Sequence, residues 1–335
     1  MWRRLAFFCA LLTFLFIGLV FAASNLIKQQ YLIELPVAQT TYFEIAEGES
    51  KKSVIEKLAA KNLISYPELH YTLIRLLMLY KANLSFKAGE YAIKPGDTYR
   101  DLLQDIQKGK VFLRKITIAE GQTSKEVTDL LNNNEFLSGE PISQIAEGSI
   151  LPETYLFKKN YDRNLLLQQM QAELKKFAAE TWTKRAADLP LKNIDELLIL
   201  ASIVEKETGK HAERDRIAGV FINRINLGMK LQSDPTVIYA VTKGQYKLTR
   251  PLSKRDLRIK SPYSTYHKYG LPPTPIANAG KAAILATANP KKSKELYFVS
   301  DGKGKHRFSK TLRQHNYYVR LLRKFEREQK NAKRP

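Results

Sequence analysis

The chain alternates between segments whose apolar positions repeat every three to four residues and short polar stretches marked by glycine or proline. It opens with a run free of charge from Leu5 to Ala23, preceded by Arg3 and Arg4. That length predicts a bilayer-crossing helix with the arginines on the cytoplasmic side, residues 1–4, and everything after Ser24 outside. A signal peptide cleaved near Ala22 or Ala23 is the alternative. Residues 24–41 read as a stalk. Three related segments follow, Ile45-Ala46-Glu47-Gly48-Glu49-Ser50, Ile93-Lys94-Pro95-Gly96-Asp97-Thr98 and Ile118-Ala119-Glu120-Gly121-Gln122-Thr123. Each predicts a strand end, a glycine turn and a Ser or Thr that caps a helix, over Val54 to Leu58, Leu102 to Ile106 and Val127 to Leu131. Thr123 and Glu126 have capping-box spacing. Tyr66 to Tyr80 reads as a separate helix between the first two copies.

A second region begins at Leu151-Pro152-Glu153-Thr154-Tyr155-Leu156-Phe157, where Tyr155 and Phe157 alternate as in a strand. Leu165 to Thr183 predicts an amphipathic helix packed under the next one, Leu197 to Gly209, which is apolar along its length, opens on Asp195 and Glu196, and stops at Gly209. A helix from Ala212 to Leu227 carries Asn223 and Arg224. Beyond it come Leu231-Gln232-Ser233-Asp234-Pro235-Thr236, a proline-stiffened stretch holding Tyr263, Thr265 and Tyr266, a small-residue helix over Ala282 to Ala288, a strand over Leu296 to Ser300, a turn at Asp301-Gly302-Lys303-Gly304, and a basic helical tail from Tyr318.

The candidate chemistry sits at the exit of the apolar helix. Glu205 and Glu207 are two residues apart and therefore face directions about 200° apart. Counting back from Glu207 meets Val204, Ile203 and Leu200, whereas Glu205 counts back to Ser202, Ala201 and Leu198, a softer and more polar face. An acid continuing an apolar stripe at a helix C-terminus has its pKa raised, and a carboxylic acid still protonated near neutrality is what glycosidic cleavage needs. Read in isolation, a Glu-Lys-Glu triplet describes two solvated carboxylates at a helix end, and it is the surrounding motifs that turn the reading towards a desolvated acid. Asp234 before Pro235 predicts an N-cap, with a second carboxylate facing Glu207 as its other reading. Tyr263 and Tyr266 could stack on sugar rings or simply anchor their loop.

The formal net charge is +22. The basic residues are spread along the whole chain and an exported domain does not meet nucleic acid, so an anionic membrane face or wall polymer is the expected counterpart. Cys9, the only cysteine, lies in the apolar run, which excludes a cystine-stapled module. His70, His211, His267, His306 and His315 show no ligand spacing, and neither a metal nor a cofactor is expected.

Several of these motifs occur together and in order: Ala201-Ser202-Ile203-Val204-Glu205-Lys206-Glu207-Thr208, Leu231 to Tyr239, Ser261 to Tyr266, Gly270 to Pro273, and Tyr297-Phe298-Val299 with His306 and Phe308. In this the chain resembles the YceG/MltG-like endolytic murein transglycosylases. The resemblance implies an α+β protein with a transmembrane anchor (5–23), a LysM-like subdomain of strand-turn-helix units (42–112), a catalytic domain (113–318) and a basic C-terminal tail (319–335). It implies a lyase of the inner membrane whose catalytic part is periplasmic. Such an enzyme cleaves nascent peptidoglycan between N-acetylmuramic acid and N-acetylglucosamine, leaves 1,6-anhydro ends and terminates glycan elongation, with wall synthases or division proteins as partners. Glu207 falls on the catalytic position. Gln232, Asp234, Tyr263, Thr265 and Tyr266 are candidates for holding substrate, and Glu205, Asn223 and Arg224 for support. A muramidase using Glu207 with Asp234 and a non-catalytic glycan-binding scaffold are the competing readings.

Overall fold

The computed structural model describes residues 2–80, 85–208 and 211–332. The expected stop at Gly209, the first residue of the cytoplasmic segment and the last three of the tail lie outside the described residues. The chain divides into two units, Met1–Arg114 with Leu156–Lys159, and Lys115–Tyr155 with Asn160–Pro335. Helices predominate and strands pair two by two, a mixed α and β fold.

The first unit begins with α1 (Trp2–Leu32), exposed along its apolar flank and, among the described residues, the one helix long and apolar enough to cross a membrane. It runs well past Ala23. The chain is then stitched to its own domain, with Leu35 buried and Glu34 bridged to Thr98, so residues 24–41 are not a free spacer. After it come β1 (Thr41–Ile45), α2 (Lys51–Ala60), α3 (Pro67–Tyr80), β2 (Gly89–Ile93) and α4 (Tyr99–Lys108). β1 and β2 pair antiparallel with Phe43 opposite Tyr91, and both side chains enter a core built on Val54, Leu58, Ile74 and Ile106. Ser50 accepts from Ser53 N to start α2, and Thr98 and Asp101 form a reciprocal capping box on α4.

The second unit takes in the end of β3 (Arg114–Thr117), α5 (Ser124–Asn132), β4 (Leu137–Ser138), the start of β5 (Thr154–Phe157), β6 (Tyr161–Asp162), α6 (Arg163–Thr183), α7 (Ile194–Glu207), α8 (Arg214–Asn226), α9 (Asp234–Thr242), α10 (Lys281–Ala288), β7 (Tyr297–Ser300), β8 (His306–Ser309) and α11 (Leu312–Ala332). Thr123 and Glu126 make the capping box that their spacing predicts. α7 is the hub. Leu197, Leu200, Ala201, Ile203 and Val204 are almost wholly buried, against Ile217, Val220 and Phe221 of α8 and Ala283 and Ile284 of α10. Each of the leucine, isoleucine, valine and phenylalanine side chains contributes about 1.5–3 kcal/mol by leaving water. The small residues of α10 let it lie close against α7, and α6 adds Leu174 and Phe177 beneath. β7 and β8 form the hairpin expected around Gly302. The basic tail is part of the fold, because α11 starts at Leu312 and half-buries Tyr318, Val319, Leu322 and Phe325.

Candidate active site

Glu207 ends α7. Asn193 caps the other end by accepting from Glu196 N at 2.9 Å, and Ser202 Oγ takes Ile276 N at 3.0 Å, which ties the middle of the helix to the proline loop. Its last residue is therefore delivered by a helix fixed along its length.

The Glu207 carboxyl is half-buried and lines a cleft of about 530 Å³ with Arg224, Gln232, Asp234, Tyr266, Tyr297, His306 and His315 among its walls. Ser233 Oγ donates to Glu207 Oε1 at 2.6 Å. The carboxyl is pushed up to about 7, chiefly by burial, with the Ser233 hydrogen bond lowering it, the Asp234 charge raising it and the Arg224 guanidinium lowering it. The group is therefore divided between acid and carboxylate near neutral pH.

Asp234 is not the helix cap. Ser233 holds the cap position of α9, Asp234 is the first helical residue, and no side chain caps the helix. The Asp234 carboxylate instead accepts from Tyr266 Oη at 2.7 Å in the Glu207 cleft. Burial and that carboxylate raise the Tyr266 phenol above its ordinary value, so it stays a hydrogen-bond donor.

Glu205 also departs from its expected surroundings. Its face is the more deeply buried of the two, and Arg214 Nη2 meets Glu205 Oε1 at 2.8 Å while Gly280 N donates to Oε2 at 2.9 Å. Arg214 also reaches Glu120 Oε2 at 2.8 Å. The two glutamates thus differ by partner rather than by the polarity of their stripe. Glu205 carries a charge matched by a guanidinium and pins α7 to α8 and α10, while Glu207 has a hydroxyl.

The remaining candidates separate. Gln232 is exposed in the cleft on a left-handed backbone (φ 51°), placed by Gln232 N bonding to Thr265 O. Thr265 is buried and cannot touch a sugar. Its Oγ1 accepts from Ser233 N at 3.0 Å and lies 2.8 Å from Thr236 Oγ1, so it holds the residue that holds Glu207. Tyr263 belongs to a different hollow, with its hydroxyl 2.9 Å from Thr274 Oγ1. Asn223 faces away from the cleft and donates to Ser293 O and Glu295 O. Arg224 spends its donors on the carbonyls of Leu296, Lys230 and Leu231, which fixes its charge in the cleft wall over the Tyr297 ring.

Sequence reading passed over Ser233, Glu213, Tyr297 and His315 as site groups. His306 Nδ1 lies 2.9 Å from Glu213 Oε2, a pairing that a sequence separation of 93 conceals. His315 stacks on Tyr297 with ring centroids 5.2 Å apart. Ser233 did carry a signal, being a hydroxyl directly before the Asp-Pro pair.

Comparison with known proteins points the same way. The chain is 29% identical over 323 residues to the endolytic murein transglycosylase of Bacillus subtilis (strain 168), covering 85% of both proteins. It is 30% identical over 305 residues to the endolytic murein transglycosylase of Streptococcus pneumoniae serotype 2 (strain D39), covering 77% of this chain and 53% of that protein. A crystal structure of a YceG-like protein from Listeria monocytogenes matches with a TM-score of 0.50 at 29% identity, over 83% of this chain and 99% of that one. The model of the YceG-like family matches residues 43–321, and the chain belongs to that family.

Proposed function

We propose that this protein is a peptidoglycan lytic transglycosylase that cuts glycan strands endolytically between N-acetylmuramic acid and N-acetylglucosamine, with Glu207 as its acid and base. The observation that carries the reading is a carboxyl poised at about 7 in a cleft of about 530 Å³. In its acid form Glu207 donates its proton to the bridging oxygen as the bond from that oxygen to the muramoyl anomeric carbon breaks. The carboxylate left behind takes the proton of the muramoyl 6-hydroxyl, whose oxygen bonds to the same carbon. The products are a 1,6-anhydromuramoyl end and a free 4-hydroxyl, and no water is consumed. Gln232, Asp234 and Tyr266 hold the sugar, Arg224 and Ser233 tune the acid, and Glu205 secures the helix.

The wider assignment follows from the same reading. α1 anchors the chain in the inner membrane with both units in the periplasm, and the first unit serves as a LysM-like glycan holder. Wall synthases or division proteins are the partners, and the cut terminates strand growth. Asp234 in the Glu207 cleft favours one competitor, a muramidase in which that carboxylate activates water. Mass spectrometry of uncrosslinked strands digested by wild type and by Glu207→Gln separates the two. Anhydro ends that vanish in the variant are expected, and reducing muramic acid ends would overturn the transglycosylase reading.

A further inference from the structure

The loop that sends Tyr266 into the Glu207 cleft sends Tyr263 into a second hollow of about 510 Å³, lined also by Tyr239, Lys243 and Glu147. The two sites share a second element as well. Asp234 stands at the first residue of α9 and Lys243 just beyond its last, so the helix spans about 13 Å from one site to the other. One loop and one helix thus join the cleft to the hollow, an arrangement suited to a chain-like ligand that occupies both.

The lining has the elements of a saccharide site. Tyr239 and Tyr263 form an aromatic wall, with ring centroids 4.8 Å apart and planes tilted by 52°. Glu147 also lines it, and burial holds its carboxyl above the ordinary value although the Ser124 and Gly148 amides and the Tyr239 hydroxyl bond to it. Lys125 is engaged by Asp129. Lys243 is different. It is exposed, its ammonium rests 5.0 Å from the Tyr263 ring centroid, and it forms no ion pair among the described residues. Its backbone is left-handed (φ 53°), a conformation that glycine adopts without strain, and Gly244 follows directly. Lys243 thus closes α9 as its left-handed cap and presents an exposed cation on a stem long enough to swing from the ring to an anion.

We infer that this hollow is a second saccharide subsite, which takes a ring of the glycan strand that bears a carboxylate, with Tyr239 and Tyr263 as its wall and Lys243 as the partner of the carboxylate. The inference rests on glycan as the substrate and extends it to a site away from the cut bond.

The test uses the full-length chain with Glu207→Gln, so that ligands are bound and not consumed. Two probes are titrated calorimetrically: peptide-stripped murein hexasaccharide, whose muramic acid units carry free lactyl carboxylates, and the neutral hexamer of N-acetylglucosamine. Adding Lys243→Asn, a side chain that tolerates the left-handed backbone, should weaken the acidic probe about tenfold and leave the neutral one unchanged. Lys243→Arg should restore the acidic probe. Equal losses for both probes, no loss for either, or failure of the parent to bind the acidic probe would each overturn the subsite. Product analysis of wild type on the same strands judges the catalytic reading separately. Anhydro ends together with an indifferent Lys243→Asn would leave the activity standing and remove the subsite, while selective loss without cleavage would do the reverse.

Discussion

Ser233 Oγ donates to Glu207 Oε1 at 2.6 Å, and the residue after it, Asp234, acts on the same carboxyl in the opposite sense. The hydroxyl stabilises the carboxylate and lowers the pKa, whereas the neighbouring negative charge raises it. Ser233→Ala should therefore move the alkaline limb of the pH profile of kcat/KM upward, and Asp234→Asn should move it downward, each by roughly one unit or less. Shifts of both variants in the same direction would show that Glu207 is not the group reporting that limb.

Glu207→Gln separates the catalytic and structural consequences of the same burial. Loss of the acid should lower turnover by about 10²–10⁴-fold. Stability should change the other way. The unfolded carboxyl titrates near 4.5 and the folded one near 7. Below 4.5 both states are protonated and the acid form is tolerated equally well. Between the two values the unfolded chain ionises first, so the folded state loses stability as pH rises, and above 7 the loss is complete at roughly 3 kcal/mol. Glutamine stays neutral throughout. Denaturant melts should show the variant more stable than wild type at alkaline pH, with the gap closing towards acid. A gap independent of pH would mean that the native carboxyl is not desolvated.

Local signals in the chain carried a large part of this picture. Ser50, Thr98 and Thr123 each cap the helix that their turn motif announces, because capping depends on residues within one turn. The apolar run from Leu197 to Val204 likewise becomes the buried hub. What was not legible depends on distant partners. Ser202, Ala201 and Leu198 behind Glu205 read as a polar face, and Arg214, which pairs with it in a buried setting, belongs to another helix. Asp234 before Pro235 has the local form of a cap, yet Tyr266 of the proline loop claims its carboxylate. Tyr263 and Tyr266, three residues apart and alike in type, line different hollows, Tyr266 beside Asp234 at the start of α9 and Tyr263 beside Lys243 at its end.

Glu205 gives a contrasting variant. Its carboxylate bridges Arg214 and the Gly280 amide, and both side chains of the ion pair are buried. Removing one partner of such a pair leaves the other charge unmatched, here in part because Arg214 keeps Glu120. Glu205→Gln should cost about 2–3 kcal/mol in chemical denaturation while the folded fraction retains most of its kcat. A turnover loss as deep as that of Glu207→Gln, with stability unchanged, would reassign Glu205 to the chemistry.

Gly219 links packing to the cleft wall. In the middle of a helix alanine is ordinarily favoured over glycine by about 1 kcal/mol, so propensity alone predicts that Gly219→Ala stabilises α8. A Cβ there would stand 2.4 Å from the Lys291 carbonyl oxygen, which is backbone and cannot rotate aside. The segment that would have to yield is held to α8 by Lys291 N to Asp215 O, by Asn223 to Ser293 O and Glu295 O, and by Arg224 to Leu296 O, and it leads directly into Tyr297. The substitution should therefore destabilise the protein by about 1–3 kcal/mol. Because Arg224 and Tyr297 form part of the wall around Glu207, KM for glycan should rise at the same time. Thermal melts and steady-state kinetics on uncrosslinked strands measure both effects, and a variant more stable than wild type with unchanged KM would show that the contact between α8 and this segment does not constrain the cleft.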